Sequence, residues 1–145
     1  MSGCVQRIVP VMAYIANGIS MTNNVSAVVT YSGVDTNLSN SPTLSGLSYN
    51  SSTGTFTNTS GATQVYCVSY YVCTNFGATT VQAWISANGT LYGRTGNHNN
   101  VTAMFYLSSS AIITLANNSW LNIGIYQSSG ATQLLYAGSV QIALL

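Results

Sequence analysis

Charge is the first thing missing from this chain. In 145 residues there is no Lys and no Glu; Arg7, Arg94 and Asp35 are the only charged side chains. A soluble domain ordinarily carries about a quarter charged residues; here the figure is 2%. Nucleic-acid binding draws its affinity from Lys and Arg neutralising phosphates, and two Arg at a net charge of +1 do not supply it. Paired-carboxylate chemistry needs two acids, and the sequence has one. Calcium sites likewise want several carboxylates. Long apolar runs are missing too. The longest, Ile8 to Ala16, is broken by Pro10, whereas a spanning helix needs about 20 residues. Arg7 before that run loosely imitates a signal peptide, but the run is rich in Val and Ile and no small-x-small cleavage site follows, so it reads as a first β-strand.

Cysteine is scarce and odd in number: Cys4, Cys67 and Cys73 do not close a disulfide framework. Cys67 and Cys73 lie six apart on what reads as one strand, about 20 Å at 3.3 Å per residue, beyond disulfide reach. The three with His98 would make up a zinc tetrad by number only, because the C-x2-C spacing of structural zinc is absent. Free thiols are the expected state, with no metal and no cofactor. A Ser-His-Asp triad could be assembled from the letters present, but there is no G-x-S-x-G elbow, and no enzyme activity is expected.

What is present is neutral polarity and a full apolar complement. Ser, Thr, Asn and Gln total 58 residues, and 47% of the chain is apolar. That rules against disorder, which needs low hydrophobicity and high net charge. The length suits a single domain, residues 1–145. Helix formers are sparse, while strand formers come in short runs between turn residues, the pattern of an all-β sandwich or barrel. Strands are expected at Val9–Ile15, Ala27–Tyr31, Leu47–Tyr49, Thr55–Thr57, Gln64–Thr74, Thr79–Ala87, Thr102–Leu107, Ala111–Leu115, Trp120–Gln127 and Leu134–Leu144. Turns are signalled at Asn17-Gly18, Ser32-Gly33, Thr53-Gly54, Asn88-Gly89, Gly96-Asn97, Asn117-Asn118 and Ser129-Gly130, with Asn88-Gly89 the clearest hairpin.

Two strands alternate informatively. Tyr66, Val68, Tyr70 and Val72 share a face, opposite Cys67, Ser69, Tyr71 and Cys73. Leu121, Ile123 and Ile125 share another, which should enter the core, opposite Asn122, Gly124 and Tyr126. Arg94 and His98 fall in the polar stretch Gly93 to Asn100, a candidate ligand loop that reads first as an ordinary solvated hairpin. Trp84 and Trp120 could be stacking platforms for sugar; as strand residues of a sandwich they read first as partly buried packing. Seven Asn-x-Ser/Thr sequons, at Asn24, Asn37, Asn50, Asn58, Asn88, Asn100 and Asn117, are a mild excess over what this composition produces by chance.

Thr53-Gly54-Thr55-Phe56-Thr57, followed by Gln64-Val65-Tyr66-Cys67-Val68-Ser69-Tyr70, resembles the T-G-x-F-T segment and G-x-Y-x-F-x-Y strand of the C1q/TNF superfamily. Gln64 and Val68 replace the family's Gly and Phe. Ser109 to Leu115 resembles its S-x-S-x-x-x-L strand, and Tyr136-Ala137-Gly138-Ser139-Val140-Gln141-Ile142 its closing strand. The resemblance implies an antiparallel jelly-roll sandwich of about ten strands that assembles as a homotrimer. It also implies an inner sheet facing the three-fold axis. With the Trp120–Gln127 strand nearest that axis, Asn122, Gly124 and Tyr126, together with Tyr71, would form the trimer interface. No collagen-like Gly-x-y stalk precedes the domain. The low-charge Ser/Thr/Asn-rich surface, on a chain starting at its own Met, is similar to such domains on virus particles and spore coats. A non-enzymatic structural or attachment protein of a virion surface, a capsid, spike or fibre-head component, is therefore expected. Its partners would be other capsid or surface proteins or a host receptor or glycan. The alternative is a secreted or spore-surface adhesin or receptor ligand.

Overall fold

Alternation of apolar and polar side chains, cut by Asn and Gly turns, builds the whole molecule from strands. The computed structural model describes residues 11–14, 19–35, 46–74, 80–97 and 105–145. They form twelve strand segments: β1 (Val11–Tyr14), β2 (Ile19–Met21), β3 (Ala27–Val28), β4 (Gly33–Asp35), β5 (Leu47–Asn50), β6 (Thr55–Asn58), β7 (Gln64–Thr74), β8 (Val81–Ala87), β9 (Thr90–Asn97), β10 (Phe105–Leu115), β11 (Trp120–Gln127) and β12 (Gln133–Leu144). Every pairing is antiparallel.

Two sheets result. The first runs β10-β7-β12-β1-β4, with β2 also on β12; the second runs β5-β6-β11-β8-β9, with β3 also on β11. The short segments share places in the ladder. β1 and β2 both lie along β12, and β3 and β6 both lie along β11. Each sheet therefore has five strand positions, which makes the ten-position antiparallel jelly roll expected from the sequence.

The two inner faces interlock as the alternation requires. Tyr66, Val68, Tyr70, Val72, Val140 and Ile142 come from the first sheet; Phe56, Ala83, Ile85, Leu121, Ile123 and Ile125 come from the second. All are buried in one cluster. Burying an Ile or Leu side chain fully contributes about 1.5–3 kcal/mol, so this layer dominates stability in a chain nearly without ion pairs.

Turns take the residues their backbones demand. Asn88 and Gly89, at φ 47 and 84, form the two-residue loop between Ala87 and Thr90, the left-handed pair that a type I′ hairpin needs. Two buried amides then fasten the ends of the sandwich. The Asn58 amide nitrogen donates to the carbonyls of Ala62 (2.8 Å), Leu115 (2.9 Å) and Ala116 (3.2 Å), and its oxygen accepts from Ser60 N–H (3.0 Å). Gln127 does the same at the other end, donating to Met21 and Ala131 and accepting from Ser129 N–H.

Several expected strands change shape. The two strands read at Thr102–Leu107 and Ala111–Leu115 are one continuous β10, paired with β7 from Phe105 to Leu115. At its Ser108-Ser109-Ser110 triplet β10 passes close to β9: a Cβ on Gly93 would stand 3.0 Å from the Ser109 Oγ. β9 was not expected as a strand, because its Gly93, Arg94, Thr95 and Gly96 carry turn chemistry; the register shifts there, with Gly93 and Arg94 of β9 opposite Trp84 of β8. The strand read at Ala27–Tyr31 is regular only over Ala27–Val28.

Candidate functional site

With the inner faces filled, interactions fall to the two outer faces. The outer face of the second sheet is formed by the residues that alternate with the core positions of β11 and β8. Asn122 faces Ser86, Gly124 faces Trp84, and Tyr126 faces Gln82. Trp84 lies flat over Gly124: a Cβ there would stand 2.3 Å from the indole nitrogen. Gly124 is thus a seat for a side chain of its own sheet. Tyr126 donates its hydroxyl to Asn24 Oδ1 (3.1 Å).

Beside this stack lies a cleft of about 400 Å³, walled by Val28 on β3, Asn50 and Thr53 of the β5–β6 hairpin, Thr55 and Thr57 on β6, and Trp120 and Asn122 on β11. Its walls are fixed by backbone. Gly54, at φ +67, presses against Val28 and Val29 so closely that a Cβ would stand 2.4 Å from the Val29 oxygen. Asn88 holds Trp120 from both sides: its Oδ1 accepts the Trp120 N–H (3.1 Å), and its own N–H donates to the Trp120 carbonyl (3.1 Å).

The outer face of the first sheet is different in kind. The register places Tyr106 and Ala137 beside Cys73, Ser108 and Ser139 beside Tyr71, Ser110 and Gln141 beside Ser69, and Ile112 and Ala143 beside Cys67. None of these is charged. Tyr71 and Tyr106 pack at 6.4 Å between ring centroids, and a hydrogen bond with the Cys73 thiol pulls the Tyr106 hydroxyl pKa upward. Tyr106 and Ile112 remain 65% and 66% exposed. Of the eleven large apolar side chains exposed among the described residues, seven lie on β7, β10, β12 or the final residue: Val65, Tyr71, Tyr106, Ile112, Leu134, Tyr136 and Leu145. Cys67 and Cys73 are free thiols; Cys4 lies outside the described residues.

The four residues expected at one interface therefore divide. The alternation of β11 is as read, with Leu121, Ile123 and Ile125 fully buried, but Asn122, Gly124 and Tyr126 face outward from the second sheet. Tyr71 faces outward from the first, across the full thickness of the sandwich. Over Gly124, where the close approach of three chains was expected, lies the Trp84 indole of the same chain. Arg94 is not in a loop. It lies on β9 with its guanidinium on the Gln82 carbonyl oxygen of the side chain, and His98 lies outside the described residues. The sequons are structural where they can be seen: Asn58 is buried, and the side chains of Asn24, Asn50, Asn88 and Asn117 accept hydrogen bonds that shape turns or anchor neighbours. The cleft was not legible as a unit, because its walls come from β3, β5, β6 and β11; the one available signal was Trp120.

No family model matches the chain, and no curated relative is found by sequence. Solved structures give a consistent answer on fold. The globular domain of zebrafish complement 1qA aligns with a TM-score of 0.67 at 11% identity, covering 96% of this chain and 98% of that one. PRD1 vertex protein P5 aligns with a TM-score of 0.67 at 14% identity, covering 95% and 98%. The Eiger TNF of S. frugiperda gives 0.62 at 12% identity, covering 95% and 92%. The fold is the C1q/TNF-like jelly roll.

Proposed function

We propose that this chain is a non-enzymatic structural or attachment component of a particle surface, working as a homotrimer joined through the outer face of its first sheet. One observation carries the reading: across β7, β10 and β12 that face presents no charged side chain and concentrates the exposed aromatic and aliphatic side chains. An uncharged field with small Ser and Ala between tyrosines permits close contact without burying an unpaired ion, and a closed three-fold arrangement would use the same patch on every copy. Likeness in fold to a vertex protein supports a place on a particle, such as a virion. The Ser, Thr and Asn surface supports an exposed position there, held by neutral hydrogen bonding. The test is a density map of native particles from the source: three-fold densities on the shell that accept three copies of the sandwich, first sheets inward, are expected. Particles whose every density excludes the fold would refute it.

A second reading, a secreted or spore-surface ligand or adhesin, is supported by likeness to complement 1qA and Eiger TNF. A product released free into the medium, absent from purified particles, would favour it. Among the described residues, no helix is long and apolar enough to cross a membrane.

A further inference from the structure

We propose that the cleft on the outer face of the second sheet binds a neutral sugar ring, stacked on Trp120 and hydrogen-bonded by Asn122. The attachment reading would give the site its use, but the cleft itself lies within one sandwich and needs no second copy.

Three observations converge. No ionisable side chain lines the cleft, so nothing there would hold a phosphate, a carboxylate or a cation. Its lining combines one indole, one aliphatic side chain, and the hydroxyls and amides of Thr55, Thr57, Asn50 and Asn122. That combination matches a pyranose, which has an apolar C–H face and a rim of hydroxyls that both donate and accept. The volume of about 400 Å³ lies within the range of about 300–1,000 Å³ usual for small-molecule sites.

Asn122 supplies the most pointed observation. Its side chain is 8% exposed, it lines the cleft, and its amide has no hydrogen-bond partner among the described residues. Asn58 and Gln127, the other buried amides, use both ends of theirs. The amide opens to the cleft instead of being enclosed, and a ligand bearing adjacent hydroxyls would satisfy its donor and acceptor together. Asn50 adds to the opposite wall: its oxygen is taken by Ser52 N–H at 3.0 Å, which turns the amide nitrogen to serve as donor. The site is also preformed, since Gly54 locks the hairpin wall on Val29 and Asn88 fixes the Trp120 backbone. A rigid site loses little on ordering.

The experiment is titration of the native protein with a panel of neutral saccharides, read by indole fluorescence and by amide chemical shifts. The panel holds glucose, galactose, mannose, fucose and the N-acetylhexosamines, as methyl glycosides and short oligomers. A sialylated and a sulfated glycan serve as charged controls. Saturable binding of at least one neutral member is expected, with Kd of the order of 1 mM for a single ring. Trp120→Ala and Asn122→Ala should each weaken it by about tenfold or more. Thr57→Val, which removes one hydroxyl and keeps the shape, is the variant that cannot be dismissed as unfolding; it should weaken binding with thermal stability unchanged. Tyr106→Ser, on the far sheet, should bind as wild type. Presenting the bound sugar free and then coupled to a carrier protein separates recognition of the ring alone from recognition of a displayed glycan. Binding of no neutral saccharide, binding only of charged ones, or binding indifferent to Trp120→Ala and Thr57→Val would overturn the proposal. The mass of the assembly is recorded in the same samples. A monomer that binds sugar refutes the trimer and keeps the cleft, and a trimer that binds none does the reverse.

Discussion

Tyr31 shows how much a single side chain can reveal. It is 2% exposed and packs against Tyr49 and Phe56 at centroid distances of 6.3 and 6.2 Å. Its backbone N–H donates to the Tyr49 hydroxyl (2.7 Å), which donates in turn to the Tyr31 carbonyl (3.1 Å). The Tyr31 hydroxyl itself has no partner among the described residues, and burial raises its pKa well above the ordinary value. Tyr31→Phe is thus expected to keep or raise stability near neutral pH, because it removes an unsatisfied polar atom and keeps the ring. The pH dependence follows with a definite sign. A tyrosine whose folded pKa is raised contributes fully below its unfolded value of about 10 and loses that contribution as pH rises beyond it. Burial also raises the pKa of Tyr49, Tyr66 and Tyr70, so unfolding should become steeply easier above pH 10. For Tyr31, nearly fully enclosed, the loss approaches about 1.4 kcal/mol per pH unit. Denaturant melts of wild type and Tyr31→Phe at pH 8 and 11 check both points; the variant should lose less at pH 11. Gly124→Ala, in contrast, must push the Trp84 indole aside and is expected to cost about 1–3 kcal/mol, read from the same melts.

The strands were legible wherever one short segment decides its own face. In β7 and β11 a strict two-residue alternation states which side is buried, and Asn88-Gly89 states a hairpin by its backbone preference alone. β9 and the middle of β10 were illegible for a shared reason: their Gly and Ser residues answer to each other across the sandwich. Tyr70 on β7 donates its hydroxyl to the Gly93 carbonyl at 2.9 Å, and no window of sequence contains both. The surroundings of Gly124 were illegible similarly. Alternation correctly sent Gly124 outward, but it could not say that Trp84, forty residues earlier, would lie on top of it. Asn58 shows the converse, a sequon by spelling and a buried cross-link by position. Replacing it with Ala leaves the carbonyls of Ala62, Leu115 and Ala116 and the Ser60 N–H without their shared partner. Asn58→Ala should therefore lose about 3 kcal/mol, a large effect for an amide truncation. Urea unfolding measures it, and a loss below about 1 kcal/mol would show that water substitutes freely for the amide.

At the scale of the molecule the missing charge returns as a property. With only three charged side chains, stability rests on apolar burial and sheet hydrogen bonds, so screening has almost nothing to screen. The thermal midpoint should stay nearly constant from low to moderate NaCl, apart from the slight rise that salting-out gives any buried core; scanning calorimetry across a salt series checks this. Assembly should share that indifference to salt, since β7, β10 and β12, the strands assigned to it, present no charged side chain. Sedimentation of three proteins then bears most directly on whether the first sheet joins the copies. Wild type should run at three times the 15.2 kDa chain, Tyr71→Ser/Tyr106→Ser should run as a folded monomer, and Tyr126→Ala, altered on the opposite sheet, should remain at the wild-type mass. A double variant that still sediments as an intact trimer, or a Tyr126→Ala protein that falls to monomer, would contradict it.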